Sequence, residues 1–124
     1  MKNQLTWIKR MLSMNGPEAS EEDNADVLLR MAEDGDDLTK PREIDFHHLF
    51  TNVTDAVSFL AAVREQGFSN VDHDFWHERS VWLTSVHVSM VPVLAEITAT
   101  EITLNEIAVS FDGEPDGWGC MEVI

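Results

Sequence analysis

Glu43-Ile44-Asp45-Phe46-His47-His48-Leu49-Phe50 runs through Thr51-Asn52 into a segment carrying Val53, Ala56, Val57, Leu60 and Val63. In the first part, Ile44, Phe46, His48 and Phe50 alternate with Glu43, Asp45, His47 and Leu49. That period of two suits a strand with one well-buried face. In the second part the apolar positions recur at threes and fours, the period of a helix lying on an apolar layer. Asn52, with Asp55 three residues on, resembles a capping pair, and Gly67 sits where a left-handed C-cap residue belongs. A strand over 43–50 followed by a helix over roughly 53–66 is therefore expected, and these two elements orient everything after them.

Downstream, Phe68, Val71, Phe75 and Trp76 suggest a second strand, ended by the polar turn Glu78-Arg79-Ser80. Trp82, Thr84, Val86, Val88 and Met90 then share one face of a third strand and Leu83, Ser85, His87 and Ser89 the other, with Pro92 limiting its pairing. Thr98 and Glu101 have capping-box spacing, and Leu104, Ile107, Ala108 and Phe111 follow at helical intervals. Asp112-Gly113-Glu114-Pro115-Asp116-Gly117 has turn chemistry, which leaves Trp118 through Ile124 as the last strand. The order strand, helix, strand, strand, helix, strand predicts an α+β fold. Its simplest form is the ferredoxin-like βαββαβ arrangement, with both helices on one face of an antiparallel sheet.

Upstream, Leu5, Ile8 and Leu12, beside Trp7 and Met11, predict a short amphipathic helix over 3–13 that ends at Asn15-Gly16-Pro17. Such a helix either packs on the body or anchors the chain to a membrane or a partner. Ser20 then caps a helix that opens with Glu21-Glu22-Asp23, continues through Val27, Leu28 and Met31, and ends near Gly35. Residues 34–42 read as a polar connector bracketed by glycine and proline. The organisation expected is an N-terminal amphipathic segment over 1–17 and one domain over 18–124, with one or two N-terminal helices preceding the βαββαβ unit. The sheet begins after Pro41.

The 124 residues are 44% apolar, as in a globular protein, and contain no apolar run long enough to suggest a membrane span. The first residues lack the pattern of a secretory signal, so a cytoplasmic protein is expected. Cys120 has no second cysteine with which to form a disulfide or a zinc site.

Charge carries more information. Acids outnumber bases 23 to 8, a net −15. Lys2, Lys9 and Arg10 lie in the first fourteen residues, which hold no acid, so the remaining 110 carry 5 bases against 23 acids. An acidic body with scattered bases repels phosphate, which argues against direct nucleic-acid binding. It suits either solubility or a protein partner with a basic surface.

No arrangement for catalysis or cofactor binding stands out. His73 and His77, with Asp74 and Glu78 beside them, have the spacing of a helical metal site, but on a strand that spacing separates the Cα atoms by about 13 Å. Adjacent His47 and His48 point to opposite faces of a regular strand. Asp34, Asp36 and Asp37 lack the spacing and closing Glu of a calcium loop. No phosphate loop, serine elbow or Cys/His nucleophile pattern is present, so no catalytic residue, cofactor or metal is assigned. Gly117-Trp118-Gly119 is open to two readings: Trp118 closes one end of the core, or it anchors a contact surface.

Three stretches resemble the ribonuclease E inhibitor (RraB) family. These are Ala32-Glu33-Asp34-Gly35-Asp36-Asp37-Leu38 with Lys40-Pro41-Arg42; Asp45-Phe46-His47-His48-Leu49; and Phe111-Asp112-Gly113-Glu114-Pro115-Asp116-Gly117-Trp118-Gly119. The resemblance covers about residues 24–124. The family commonly has tyrosine where Pro115 stands, a difference that removes a hydroxyl and a backbone donor. The resemblance implies a ferredoxin-like fold and a cytoplasmic, non-enzymatic protein. Such a protein restrains an RNA-degrading endonuclease, ribonuclease E, by binding its non-catalytic scaffold region. An acidic body can occupy arginine-rich scaffold segments in place of RNA.

The residues expected to meet the partner are Asp34, Asp36, Asp37, Lys40 and Arg42 in the connector and Asp116, Gly117, Trp118 and Gly119 near the C-terminus. Two rival readings are an immunity-type module that neutralises a basic toxin and a small enzyme on the same fold. A concave pocket with convergent polar groups would favour the enzyme, and a shallow acidic face with an exposed aromatic the binder. Oligomeric state is left open.

Overall fold

The computed structural model describes residues 5–6 and 21–124. In chain order the elements are β1 (Leu5–Thr6), α1 (Glu21–Glu33), β2 (Arg42–Phe50), α2 (Val53–Glu65), β3 (Val71–Trp76), β4 (Val81–Met90), α3 (Leu94–Val109) and β5 (Glu114–Met121). The strands form one antiparallel sheet in the order β1-β5-β2-β4-β3. The architecture is α+β, with three helices among the described residues.

The strand-to-helix passage takes the expected form. Ile44, Phe46, His48 and Phe50 are buried on one face of β2, opposite Val88, Val86, Thr84 and Trp82 of β4. Asn52 caps α2, its side chain accepting from Asp55 N–H at 2.9 Å while its own amide N–H donates to the Asp55 carboxylate at 2.9 Å. Gly67, at φ +99, lets Phe68 N–H bond Val63 C=O and Gly67 N–H bond Arg64 C=O, the Schellman closure that only a residue tolerant of positive φ makes cheaply. From α2, Ala56, Phe59, Leu60 and Val63 pack into a core shared with Ile97, Leu104 and Ala108 of α3, Val27, Leu28 and Met31 of α1, and Trp118 and Cys120 of β5. All three helices thus cover the same face of the sheet.

Four expectations are corrected. Helix α3 begins at Leu94 rather than near Thr98, with Val93 as an N-cap lacking a side-chain bond. Thr98 and Glu101 sit inside the helix, buried, and both accept from the Asn24 side chain at 3.0 and 3.1 Å. Strand β5 begins at Glu114, four residues before Trp118. Its pairing with β2 slips between Phe46↔Trp118 and His48↔Pro115, so Asp116 and Gly117 together stand opposite His47. Such a β-bulge accommodates Gly117 at φ +85 and hides the alternation of the strand in a run of turn-forming residues. Phe111 lies beyond the end of α3 in a turn. Finally, Leu5–Thr6 pairs as a strand on β5, Leu5 opposite Met121 and Thr6 opposite Cys120, where a helix over 3–13 is expected. The rest of that segment lies outside the described residues.

Candidate interaction surface

The sheet face turned away from the helices follows from the register. It carries Glu43, Asp45, His47 and Leu49 of β2, Leu83, Ser85, His87 and Ser89 of β4, and Asp72, Asp74 and Trp76 of β3. Glu114 of β5, opposite Leu49, continues it. No Lys or Arg of the described strands shares this face, because Arg42 pairs with Met90 on the other one. His47 and Leu49 are nonetheless buried, His47 Nδ1 lying 3.0 Å from Ser85 Oγ.

The acids of this face are organised around His87. Its Nδ1 lies 2.6 Å from Asp45 Oδ1 and 3.7 Å from Glu43 Oε1, and its Nε2 lies 2.8 Å from Asp72 Oδ2. Partial burial disfavours the imidazolium, but hydrogen bonds and charges from Asp45 and Asp72 outweigh it, so the pKa of His87 is raised. When protonated, the ring donates to carboxylates on both flanking strands. Ligand atoms of Glu43, Asp45 and His87 lie within 4.8 Å of one another, a spacing a cation could bridge, but an ion there would have to displace the imidazole proton that Asp45 accepts.

His48, on the helix side, is in the opposite situation. Its Nε2 lies 2.7 Å from Asn105 Oδ1, and complete burial pushes its pKa down to about 4, so it is a neutral core residue. His73 packs against Trp82 and His77 against Phe75, and the two do not converge on an ion.

Beside the acids, a shallow hollow of about 250 Å³ is lined by Asp74, Phe75, Trp76 and Leu83. The Arg79 guanidinium carbon lies 5.2 Å from the centre of the Trp76 ring, and the indole N–H donates to Glu78 at 3.0 Å.

The expected contact residues divide differently from the way the sequence suggests. Asp34 is exposed, and Asp37 and Lys40 are about half exposed; Asp37 accepts from both the N–H and the hydroxyl of Thr39, which lower its pKa. Asp36 and Arg42, by contrast, form a buried ion pair at 2.7 Å, and Arg42 also donates to the carbonyls of Asp37 and Lys40. With Asp37 N–H on Val123 C=O and Lys40 Nζ on Ile124 C=O, the connector clasps the last residues of the chain.

Trp118 is wholly buried and donates its indole N–H to Asn24 Oδ1 at 3.0 Å; Asp116, Gly117 and Gly119 are buried around it. Asp36, Arg42, Asp116 and Trp118 therefore hold the scaffold, and their side chains are not on offer to a partner. Sequence reasoning passed over Asn24 and His87. Asn24 falls on the stripe with Val27, Leu28 and Met31, the signal that could have marked it as buried.

Fold and surface define a small acidic α+β domain with helices on one side of its sheet and carboxylates on the other. A family model described as regulator of ribonuclease activity B matches residues 21–120. The chain belongs to this RraB family of regulatory proteins. No curated protein matches the chain. No described helix is long and apolar enough to cross a membrane.

Proposed function

We propose that the chain is a non-enzymatic regulator that restrains an RNA-degrading endonuclease, ribonuclease E, by binding the basic scaffold region of that enzyme in the cytoplasm. The observation that carries this reading is the sheet face turned away from the described helices, on which Glu43, Asp45, Asp72, Asp74 and Glu114 gather without a lysine or arginine among the strand residues. Such a face attracts arginine-rich polypeptide and repels RNA. Asp34, Asp37 and Lys40 are read as the rim of the contact. The order β5-β2-β4-β3, with α2 and α3 on one face, supports reading the domain over 18–124 as ferredoxin-like, and Leu5–Thr6 of the 1–17 segment adds a short strand to its sheet.

The test is an RNA-cleavage assay with ribonuclease E, with and without its scaffold region. Slowed cleavage only when the scaffold is present supports the reading. Equal inhibition of the isolated catalytic half, or none of either, contradicts it.

A further inference from the structure

Strand β3 closes the sheet at one side, pairing with β4 alone among the described residues. The Asn70 carbonyl accepts from His87 N–H at 2.8 Å, which sets the phase of the antiparallel ladder. Residues at even positions bond β4, and the N–H and C=O groups of Val71, His73 and Phe75 point away from the sheet. A row of outward backbone groups next to Phe75 and Trp76 is a template for another strand.

Two features restrict which strand can use it. Asp72 and Asp74 are exposed and flank the edge on the face turned away from the described helices, so a second copy of this strand would set carboxylate against carboxylate. The Asp74 carboxylate also accepts from Phe75 N–H at 2.9 Å, covering one outward donor until a cation draws it off. A strand carrying arginine at alternate positions meets neither obstacle. The stacking of Arg79 on Trp76 shows that this indole already receives a guanidinium, and the hollow formed by Asp74, Phe75, Trp76 and Leu83 lies next to it.

We propose that the β3 edge is where an extended, arginine-bearing segment of the protein partner adds as a further strand, pairing its backbone with Val71 and His73 and setting alternate arginines on Asp72, Asp74 and Trp76. The inference rests on the reading of the partner as a basic polypeptide and locates its contact. Main-chain pairing supplies affinity here, and the acids and the indole supply selectivity.

The test uses the full chain, isotope-labelled, and two peptides of equal charge, one alternating arginine with valine and the other arginine with proline. The valine peptide is expected to shift the amide signals of residues 71–76, to slow hydrogen exchange at Val71 and His73, and to bind at least about tenfold more tightly than the proline peptide, which cannot donate along a ladder. His73→Pro removes an outward donor without touching the bonds to β4, and Asp74→Lys reverses a charge that does not contact His87. Each is expected to weaken binding by about tenfold or more while amide dispersion is retained. Should His73→Pro fail to fold, Asp74→Lys decides alone.

Equal binding of both peptides overturns strand addition. Shifts confined to residues 34–40 overturn the placement and leave the basic-partner reading standing. Binding of neither peptide, or binding of single-stranded RNA at the same edge, overturns both.

Discussion

The indole N–H of Trp118 donates to Asn24 Oδ1 across 3.0 Å, joining β5 to α1 inside the core. The amide N–H groups of Asn24 continue to Thr98 and Glu101 of α3, so one side chain satisfies three elements at once. Asn24→Ala strands the indole N–H without an acceptor in a site closed to water, and a buried donor left that way costs about 1–3 kcal/mol. Urea denaturation is expected to show a loss of about that size or more, since other bonds go with it.

Asp36→Ala leaves the Arg42 guanidinium buried without its carboxylate, and removing one partner of a buried pair typically costs about 3–5 kcal/mol. Asp37→Ala, at a side chain 41% exposed, is expected to leave the denaturation midpoint nearly unchanged. The two neighbouring aspartates are told apart by comparing midpoints. Equal effects would mean that the Asp36–Arg42 clasp is not closed in solution.

His48 makes stability depend on pH below neutrality. Its folded pKa of about 4 lies beneath the ordinary 6.5, so the unfolded chain takes up a proton that the native core refuses. Stability contributed by this group is whole above 6.5 and falls as the pH drops toward 4. Between pH 7 and 5 the parent should lose about 2 kcal/mol more than His48→Gln in paired denaturation curves.

His87 acts with the opposite sign. Its raised pKa means that its contribution is fully present below 6.5 and disappears as the pH rises through the folded value. The groups that face it are Asp45 and Glu43 from β2 and Asp72 from β3. Ring-nitrogen NMR titration should place the midpoint of His87 above 6.5 and that of His48 well below, and the stability advantage of the parent over His87→Gln should shrink from pH 6 to 9.

Where a period ran unbroken, the sequence was enough to place β2 and α2: Ile44 to Phe50 alternate, and of the stripe Val53, Ala56, Val57, Leu60 and Val63 the positions Ala56, Leu60 and Val63 are buried, while Val53 and Val57 are exposed. Legibility failed where a local motif imitated another. Thr98 and Glu101 have the spacing of a cap but serve Asn24, and the bulge at Asp116-Gly117 reads as a turn until the register of β5 on β2 is known. Asp36 looked like one more exposed acid because its partner, Arg42, is reached only after the connector folds back. The acidic face itself depends on register. Asp45, Asp72 and His87 are far apart in the chain, and only the pairing of β3 and β2 with β4 brings them together.

The most direct test of the electrostatic contact is stopped-flow association of the full chain with intact ribonuclease E across a salt series. Screening shortens from about 10 Å at 0.1 M to about 3 Å at 1 M salt, and a contact steered by exposed acids loses its attraction over that range. The expected result is an association rate that falls at least about tenfold between roughly 0.05 and 0.5 M salt while dissociation changes little. An association rate indifferent to salt, or no complex at low salt, would contradict it.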